Sequence, residues 1–386
     1  MDKDQKKVIM QIVPALENGG VERGVVDIAK CLKNNNFLPI VISNGGVLVY
    51  DLTEAGINHI KLAVNTKNPI KIYNNIKKIE AIIKKFNVDI VHVRSRAPML
   101  TAYYACKRTN TKLISTVHGI YSLNFLFWKN FSLKKKYNSL MLKADSVIAV
   151  SNFVKKYLLE NYLGDFSSKI KVIQRGADLN YFNLKKVSNN RIIDLIKKWN
   201  LPEDKKIILM PARYTSWKGH EFLISALSKV NNDFFCIMVG SDHGHEKYRK
   251  KLEQMVVQKN LESKIRLVGP CKDMPAAYAL SHFVVAPSIR PEAFGRIAIE
   301  AQASQKPIIA TAIGGSLETI INNETGFLVD VLDVDNLTII IDKVLQMSKQ
   351  EIDQIGLAGR KNIEENFSNQ KMCDETVGLY SNFLQV

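Results

Sequence analysis

Arg290-Pro-Glu-Ala-Phe-Gly-Arg-Ile-Ala-Ile-Glu-Ala-Gln302 is the stretch on which the reading of this chain turns. The apolar run from His282 to Ala286 precedes it and ends in Pro287-Ser288, the pattern of a buried strand leaving its sheet. Pro291 and Gly295 then shape a short loop, and Phe294 to Ala303 carries a helical apolar period with no proline inside. Glu292 is therefore expected just before a helix, with Glu300 about two turns along it. Eight helical rises span about 12 Å, so the two carboxylates cannot share a proton but can each accept hydrogen bonds from different hydroxyls of one extended ligand. A glycine-kinked loop against a helix start is a place where phosphates and hydroxyls dock, and Glu292, Ala293, Phe294, Gly295 and Glu300 are read as ligand contacts there.

The remaining composition sets bounds. A chain of 386 residues suits two domains, and 46% hydrophobic with 24% charged residues matches a soluble globular protein. Cys31, Cys106, Cys236, Cys271 and Cys373 are odd in number, scattered and never spaced Cys-x-x-Cys. They are expected as reduced thiols in the cytosol, forming neither a disulfide frame nor a zinc site. No apolar run approaches the length of a membrane span. Val8–Leu16 after Lys6-Lys7 has the look of a short signal peptide, but it lacks a small-residue cleavage site and is expected as the first strand. The net charge of +17 is uneven: residues 1–182 hold 28 Lys+Arg against 13 Asp+Glu, whereas 183–386 hold 26 against 24. A basic first half implies an acidic partner, whether nucleic acid, anionic membrane or anionic acceptor. Nucleic acid is disfavoured, because no reader motif is present and the lysines are spread over several helices.

Strands and helices alternate along the chain. The run Lys7–Val13 reads as a strand, Gly19-Gly20 as a loop, and Val21–Leu32 as a helix with its stripe at Val25, Ile28, Ala29 and Leu32. Strand, glycine loop and helix start are the parts of an anion site built from backbone amides. Leu38–Ser43, Val88–Arg94, Lys112–Val117 and Ser146–Ser151 read as further strands, and Ile70–Phe86 as a helix with a solvated lysine face. Arg94-Ser-Arg96-Ala-Pro98 is expected as a basic loop at a strand's carboxyl end, where ligands of α/β folds collect, and His118 leaves a strand at a similar mouth. Residues 183–204 are polar and read as a linker. A second set of strands starts at Ile207, and its first loop carries Arg213 and Lys218 before a helix. Two fixed cations on one loop are a way to hold a pyrophosphate without metal. His243 and His245 suggest a metal pair, but no third ligand is near, and both are assigned to a loop surface. Phe125, Phe127 and Trp128 beside Lys134-Lys135-Lys136 suit a membrane interface.

These stretches together resemble the retaining GT-B glycosyltransferases of family 4. Glu292-x7-Glu300 matches the family's paired-glutamate signature, Gly19-Gly20-x-Glu22 its first loop, and Arg213-x4-Lys218-Gly219 its basic motif, with Ala212 in place of a glycine. Gly314-Gly315-x-x-Glu318 and Gly326-Phe-Leu-Val329 match its tail. Arg175-Gly-Ala-Asp178 followed by Phe182 matches its domain crossover, with Arg175 and Ala177 as departures. The resemblance implies two Rossmann-like doubly wound α/β domains facing a central cleft. Residues 1–182 would bind acceptor, 183–204 link, 205–366 bind nucleotide sugar, and 367–386 form a helix crossing back to the first domain. It further implies that Glu292 holds the donor sugar's hydroxyls, Glu300 the nucleotide ribose, and Gly19-Gly20 the donor phosphate. His118 would lie beside the donor's anomeric carbon, and Arg213 and Lys218 would stabilise the departing diphosphate. Catalysis is thereby assigned to His118, Arg213, Lys218 and Glu292, and acceptor binding to Glu22, Arg94, Arg96 and His118.

More narrowly, Arg94-Ser-Arg-Ala-Pro98, Met274-Pro-Ala-Ala-Tyr278 and Glu292-Ala-Phe-Gly-Arg296 are similar to lipopolysaccharide-core glycosyltransferases, some of them mannosyltransferases. The expected reaction moves a hexose from a nucleotide-diphosphate sugar to an anionic glycolipid with retention. It would need neither metal nor cofactor and would run in the cytoplasm, peripherally on the inner face of the membrane. A nucleotide-sugar epimerase of the same fold and a non-catalytic membrane-associated binding protein are the alternatives.

Overall fold

The computed structural model describes residues 6–17, 19–120 and 135–385. The chain divides into two compact units, one of Met1–Arg175 with Gln370–Val386 and one of Gly176–Asn369. The aromatic stretch Phe125, Phe127 and Trp128, with Lys134, lies outside the described residues. No helix among the described residues is long and apolar enough to cross a membrane.

The first unit is built on the strands β1 (Val8–Ile12), β2 (Leu38–Ser43), β3 (Asn58–Lys61), β4 (Ile90–Val93), β5 (Lys112–Val117), β6 (Ser146–Ala149) and β7 (Ile170–Val172). They pair in parallel in the order β3-β2-β1-β4-β5-β6-β7. Every residue of β1, β4 and β6 is buried, so these strands are mostly apolar without polar alternation, and each also buries one polar side chain: Gln11, His92 and Ser146. The helix Pro69–Phe86 follows the local rules closely. Asn68 caps it by accepting from the amides of Ile70 and Lys71, proline occupies its first position, and Ile76, Ile79 and Ile83 are buried. Its lysines at 71, 77, 78, 84 and 85 are exposed.

The second unit is built on β8 (Ile207–Pro211), β9 (Phe235–Val239), β10 (Ile265–Val268), β11 (Phe283–Ala286), β12 (Ile308–Thr311) and β13 (Phe327–Val329). The order is β10-β9-β8-β11-β12-β13, again all parallel. The two units thus share one plan. The chain moves outward from the first strand of each sheet, then returns to its other side, so β1 and β4, and β8 and β11, flank a point where strand order reverses. Loops leaving the carboxyl ends of such strands line a crevice. Val13–Gly20 and Arg94 follow β1 and β4, and Ala212–Gly219 and Pro287–Glu292 follow β8 and β11.

Three sequence expectations change. Residues 183–204, read as a linker, belong to the second unit and carry the helix Asn189–Trp199, which buries Leu195 and Trp199. Its polarity belongs to its outer face. Arg96-Ala-Pro98 is not loop but the first turn of the helix Arg96–Thr109, where proline's missing amide costs nothing. The helix expected from Phe294 begins at Arg296, because Gly295 ends the preceding loop in the left-handed region.

Packing of residues 370–385 on the first sheet has a polar centre. His92, on β4, is fully buried, with Nδ1 2.5 Å from the Tyr380 hydroxyl and Nε2 2.7 Å from Thr116 Oγ1. Burial, reinforced by the charge of Arg94, holds His92 neutral well below the ordinary histidine range. The unfolded chain protonates the same ring near pH 6.5, so folding excludes a proton that the unfolded chain takes up. Stability is then complete above about pH 7.5 and falls as pH drops below about 6.5, at up to about 1.4 kcal/mol per pH unit for each such histidine. Calorimetry is expected to show a flat Tm on the alkaline side and a decline on the acid side that is shallower in His92→Gln. An equally steep decline in that variant would remove His92 as the cause.

Candidate functional site

In the second unit two loops are fastened to each other. Ile289 N donates to Trp217 O at 2.9 Å. Gly219, at φ +80°, lets the first loop pass so close that a Cβ there would stand 1.8 Å from Pro287 O. This approach brings Lys218 to Glu292: Nζ lies 2.8 Å from Oε1, with only 10% and 16% of the two side chains exposed. Ser288 Oγ donates to the same carboxylate oxygen, and the Lys218 ammonium lies 4.4 Å from the centre of the Trp217 ring. Two further bonds hold the Glu292 loop from behind: Gly315 N donates to Glu292 O at 2.9 Å, and Thr311 Oγ1 to Ser288 O at 2.6 Å. A buried ammonium and carboxylate so fixed offer preorganised charge to a ligand that reaches them. Arg213, on the same loop as Lys218, is exposed and lines a hollow of about 280 Å³ with Trp217, His245 and Tyr248. His243 and His245 are exposed, as expected of a loop surface.

Glu300 sits on the helix Arg296–Ala303 and is gripped from two directions. Arg296 donates to Oε1 at 2.6 Å, and the Tyr278 hydroxyl to Oε2 at 3.2 Å. Burial and the Glu300 charge push the Tyr278 phenol well above its ordinary range, so it remains a donor. Between the two glutamates Ala293 is half-buried, while Phe294 is buried with its ring 5.9 Å from that of Phe367.

The first unit gathers its own set. Gly19 and Gly20 lead into the helix Gly20–Asn34, and the Glu22 carboxylate folds back over Gly19, where a Cβ would stand 2.2 Å from Oε2. Glu22, Arg94, Arg96 and His118 line one hollow of about 250 Å³. Arg96 NH1 donates to Asn138 Oδ1 at 2.6 Å. His118 Nδ1 faces Arg175 NH1 at 3.4 Å, and a second Arg175 nitrogen donates to Gly20 O. Burial first, then the charges of Arg175 and Arg94, keep His118 neutral well below its ordinary range.

Ser288, Tyr278, Arg296 and Arg175 escaped the sequence reading of the site. Serine, tyrosine and arginine near a strand end carry no signal until the fold shows which carboxylate or imidazole they address. All four stand in stretches quoted above, Tyr278 and Arg296 in motifs of the resemblance and Arg175 as a departure from one, but none had a role at the site until the fold placed it.

Two doubly wound parallel-sheet units of this kind make up the GT-B fold. The chain belongs to the glycosyltransferases. Residues 18–181 match the family described as Glycosyltransferase Family 4, and residues 192–362 the family described as Glycosyl transferases group 1. A glycosyltransferase crystal structure from Rickettsia africae ESF-5 is 44% identical, covers 98% of this chain and 99% of that one, and superposes with a TM-score of 0.89. The capsular polysaccharide biosynthesis glycosyltransferase CapM of Staphylococcus aureus is 26% identical over 99% of this chain and 98% of its own length. Anabaena Alr3699/HepE in complex with UDP-glucose, 21% identical, covers 97% of this chain and 99% of that one, and shares the fold with a TM-score of 0.82.

The close approach at Gly219 makes the charged pair sensitive to a single methyl group. Gly219→Ala is expected to cost about 1–3 kcal/mol, since it combines a disfavoured backbone conformation with contact against Pro287 O. Differential scanning calorimetry reads this as a lowered transition temperature; an unchanged transition would mean that the two loops are not held together as described.

Proposed function

We propose that this glycosyltransferase moves a hexose from a nucleotide-diphosphate sugar to a hydroxyl of a glycolipid of the lipopolysaccharide-core type, with retention and without metal. The observation that carries the reading is the buried Lys218–Glu292 pair on loops beside the switch point of the second sheet. In this reading Glu292 accepts hydrogen bonds from the donor sugar's hydroxyls, and Glu300, held by Arg296 and Tyr278, accepts from the ribose. The backbone of Ala293, Phe294 and Gly295 borders the same ligand, and Gly19 and Gly20 present backbone amides to its phosphates. The acceptor hydroxyl attacks C1 from the side on which the diphosphate leaves. The C1–O bond breaks with its electron pair passing to the diphosphate, which takes up the hydroxyl proton. Arg213 and Lys218 stabilise the charge that develops there, the role that a cation must fill in such a transfer. Glu22, Arg94, Arg96 and His118 receive the acceptor.

The deciding experiment offers a panel of nucleotide sugars with truncated lipopolysaccharide acceptors and identifies products by mass spectrometry, with NMR of the new anomeric centre. A changed nucleotide sugar with no glycosylated acceptor would identify an epimerase, and no turnover with any donor would support a binding protein. Arg213→Ala and Lys218→Ala are each expected to lower turnover by about 10²-fold or more. Turnover should persist in chelator; dependence on added magnesium or manganese would count against the charge role of the two cations.

The excess of Lys and Arg in residues 1–182 supports peripheral binding of the enzyme to an acidic membrane face, where each nearby cation contributes about 1 kcal/mol. Sedimentation with vesicles is expected to show salt-sensitive binding to anionic lipid, weak binding to neutral lipid, and a loss in the Lys134→Glu, Lys135→Glu, Lys136→Glu variant. Equal partitioning onto both lipids, or onto neither, would mean that these lysines serve solubility alone.

A further inference from the structure

The hollow of the first unit holds more positive charge than its surroundings balance. Arg94 follows β4 at the switch point and is only 3% exposed, yet among the described residues its Nε has no hydrogen-bond partner and no carboxylate forms an ion pair with it. Burial works against its charge, and of the neighbours that temper this only Asp27 is a carboxylate. An arginine does not escape the penalty by losing its proton, so a buried guanidinium without an ion-pair partner is a group prepared for an anion.

Two independent features point into the same space. Arg175 can only donate, so the nitrogen of His118 that faces it, Nδ1, is an acceptor and the imidazole proton resides on Nε2. That Nε2–H is buried with no partner among the described residues, on a ring that lines the hollow with Arg94, Ser95 and Arg96. The helix Arg96–Thr109 also starts at this hollow. Its N-cap residue Ser95 makes no capping hydrogen bond, and its first turn contains no acidic residue, leaving the positive end of its dipole unopposed.

We infer that the acceptor carries an oxyanion, a phosphate or a carboxylate, which docks between Arg94, the start of the helix Arg96–Thr109 and the Nε2–H of His118. The inference rests on the transfer reading above and names the class of acceptor it takes: an anionic sugar, recognised by charge-assisted hydrogen bonds. Arg175 acts as a positioning residue that fixes the histidine's tautomer. Glu22 lines the same hollow with its carboxylate folded over Gly19, so the anion is expected on the Arg94 and His118 side.

Calorimetry with three soluble probes tests this: glucose 6-phosphate, glucuronate and glucose. The Arg213→Ala, Lys218→Ala protein is used, so that the donor loop cannot take the phosphate. At least one anionic sugar is expected to bind well above glucose, with affinity falling at high salt. Binding of glucose 6-phosphate alone assigns a phosphate, of glucuronate alone a carboxylate, and of both a shared oxyanion site. Arg94→Gln should weaken the bound probe by about tenfold or more, and Arg94→Lys, which keeps the charge but loses the planar fork, by less. Thermal unfolding checks that each variant is folded; if the glutamine variant is not, the lysine variant carries the comparison. Equal affinity for all three sugars, no binding of either anionic sugar, or wild-type affinity in the Arg94 variants overturns the inference. Any of these results beside normal turnover of a nucleotide sugar by the unmodified enzyme removes only the anion subsite. Absent turnover with intact Arg94-dependent binding removes the transfer reading instead.

Discussion

Parallel strands cannot be joined by tight hairpins, and this constraint arranges almost everything in the chain. Each strand must be followed by a crossover long enough to return to the starting edge, so the loops at one end of the sheet all leave strands and those at the other all enter them. When a sheet grows outward from its first strand and then resumes on the other side, two neighbouring loops diverge and leave a gap. β1 and β4 make one such gap, and β8 and β11 the other. Lys218 and Glu292 in the second unit, and Glu22 and Arg94 in the first, stand on the segments that follow these strands.

Within this frame, charge is held in two contrasting ways. Lys218 and Glu292 neutralise each other while a serine and an aromatic ring complete their surroundings. Such a pair costs much desolvation but is stable as a unit, and breaking it leaves an uncompensated charge. Arg94 has no comparable neighbour. Beside its switch point the second unit thus presents a paired lysine and glutamate, whereas the first presents a buried arginine with no ion-pair partner among the described residues.

Much of this was legible in the residues. The apolar runs of β1, β4, β8, β9 and β11 announce buried parallel strands, and Asn68-Pro69 and Asn87 bracket a helix whose limits follow from local rules. The two glutamates, Arg213 and Lys218 stand out because glycines and a proline punctuate their loops. What was not legible depended on distance along the chain. Ser288 reaches Glu292 across one short turn, but Tyr278 reaches Glu300 from a different helix, and Arg175 reaches His118 from 57 residues away. Polarity misled where only one face mattered: the helix Asn189–Trp199 buries little besides Leu195 and Trp199, so its composition reads as linker. The short β3 failed to register because its residues Asn58–Lys61 are mostly polar and none is fully buried.

Tyr380 closes over His92 from a segment that lies 288 residues further along the chain. Met372, Cys373 and Tyr380 belong to the same apolar cluster as Ile9, Ile28, Leu32 and Ile90. On the ribosome the first unit is therefore never complete while the second is being made. Its sheet emerges first and its last wall emerges last, with the whole of Gly176–Asn369 synthesised in between. Domains usually fold as units in order of emergence; here the order is inverted for one of them. Until residues 372–380 are made, the cluster that holds Ile9, Ile28 and Ile90 lacks Met372, Cys373 and Tyr380.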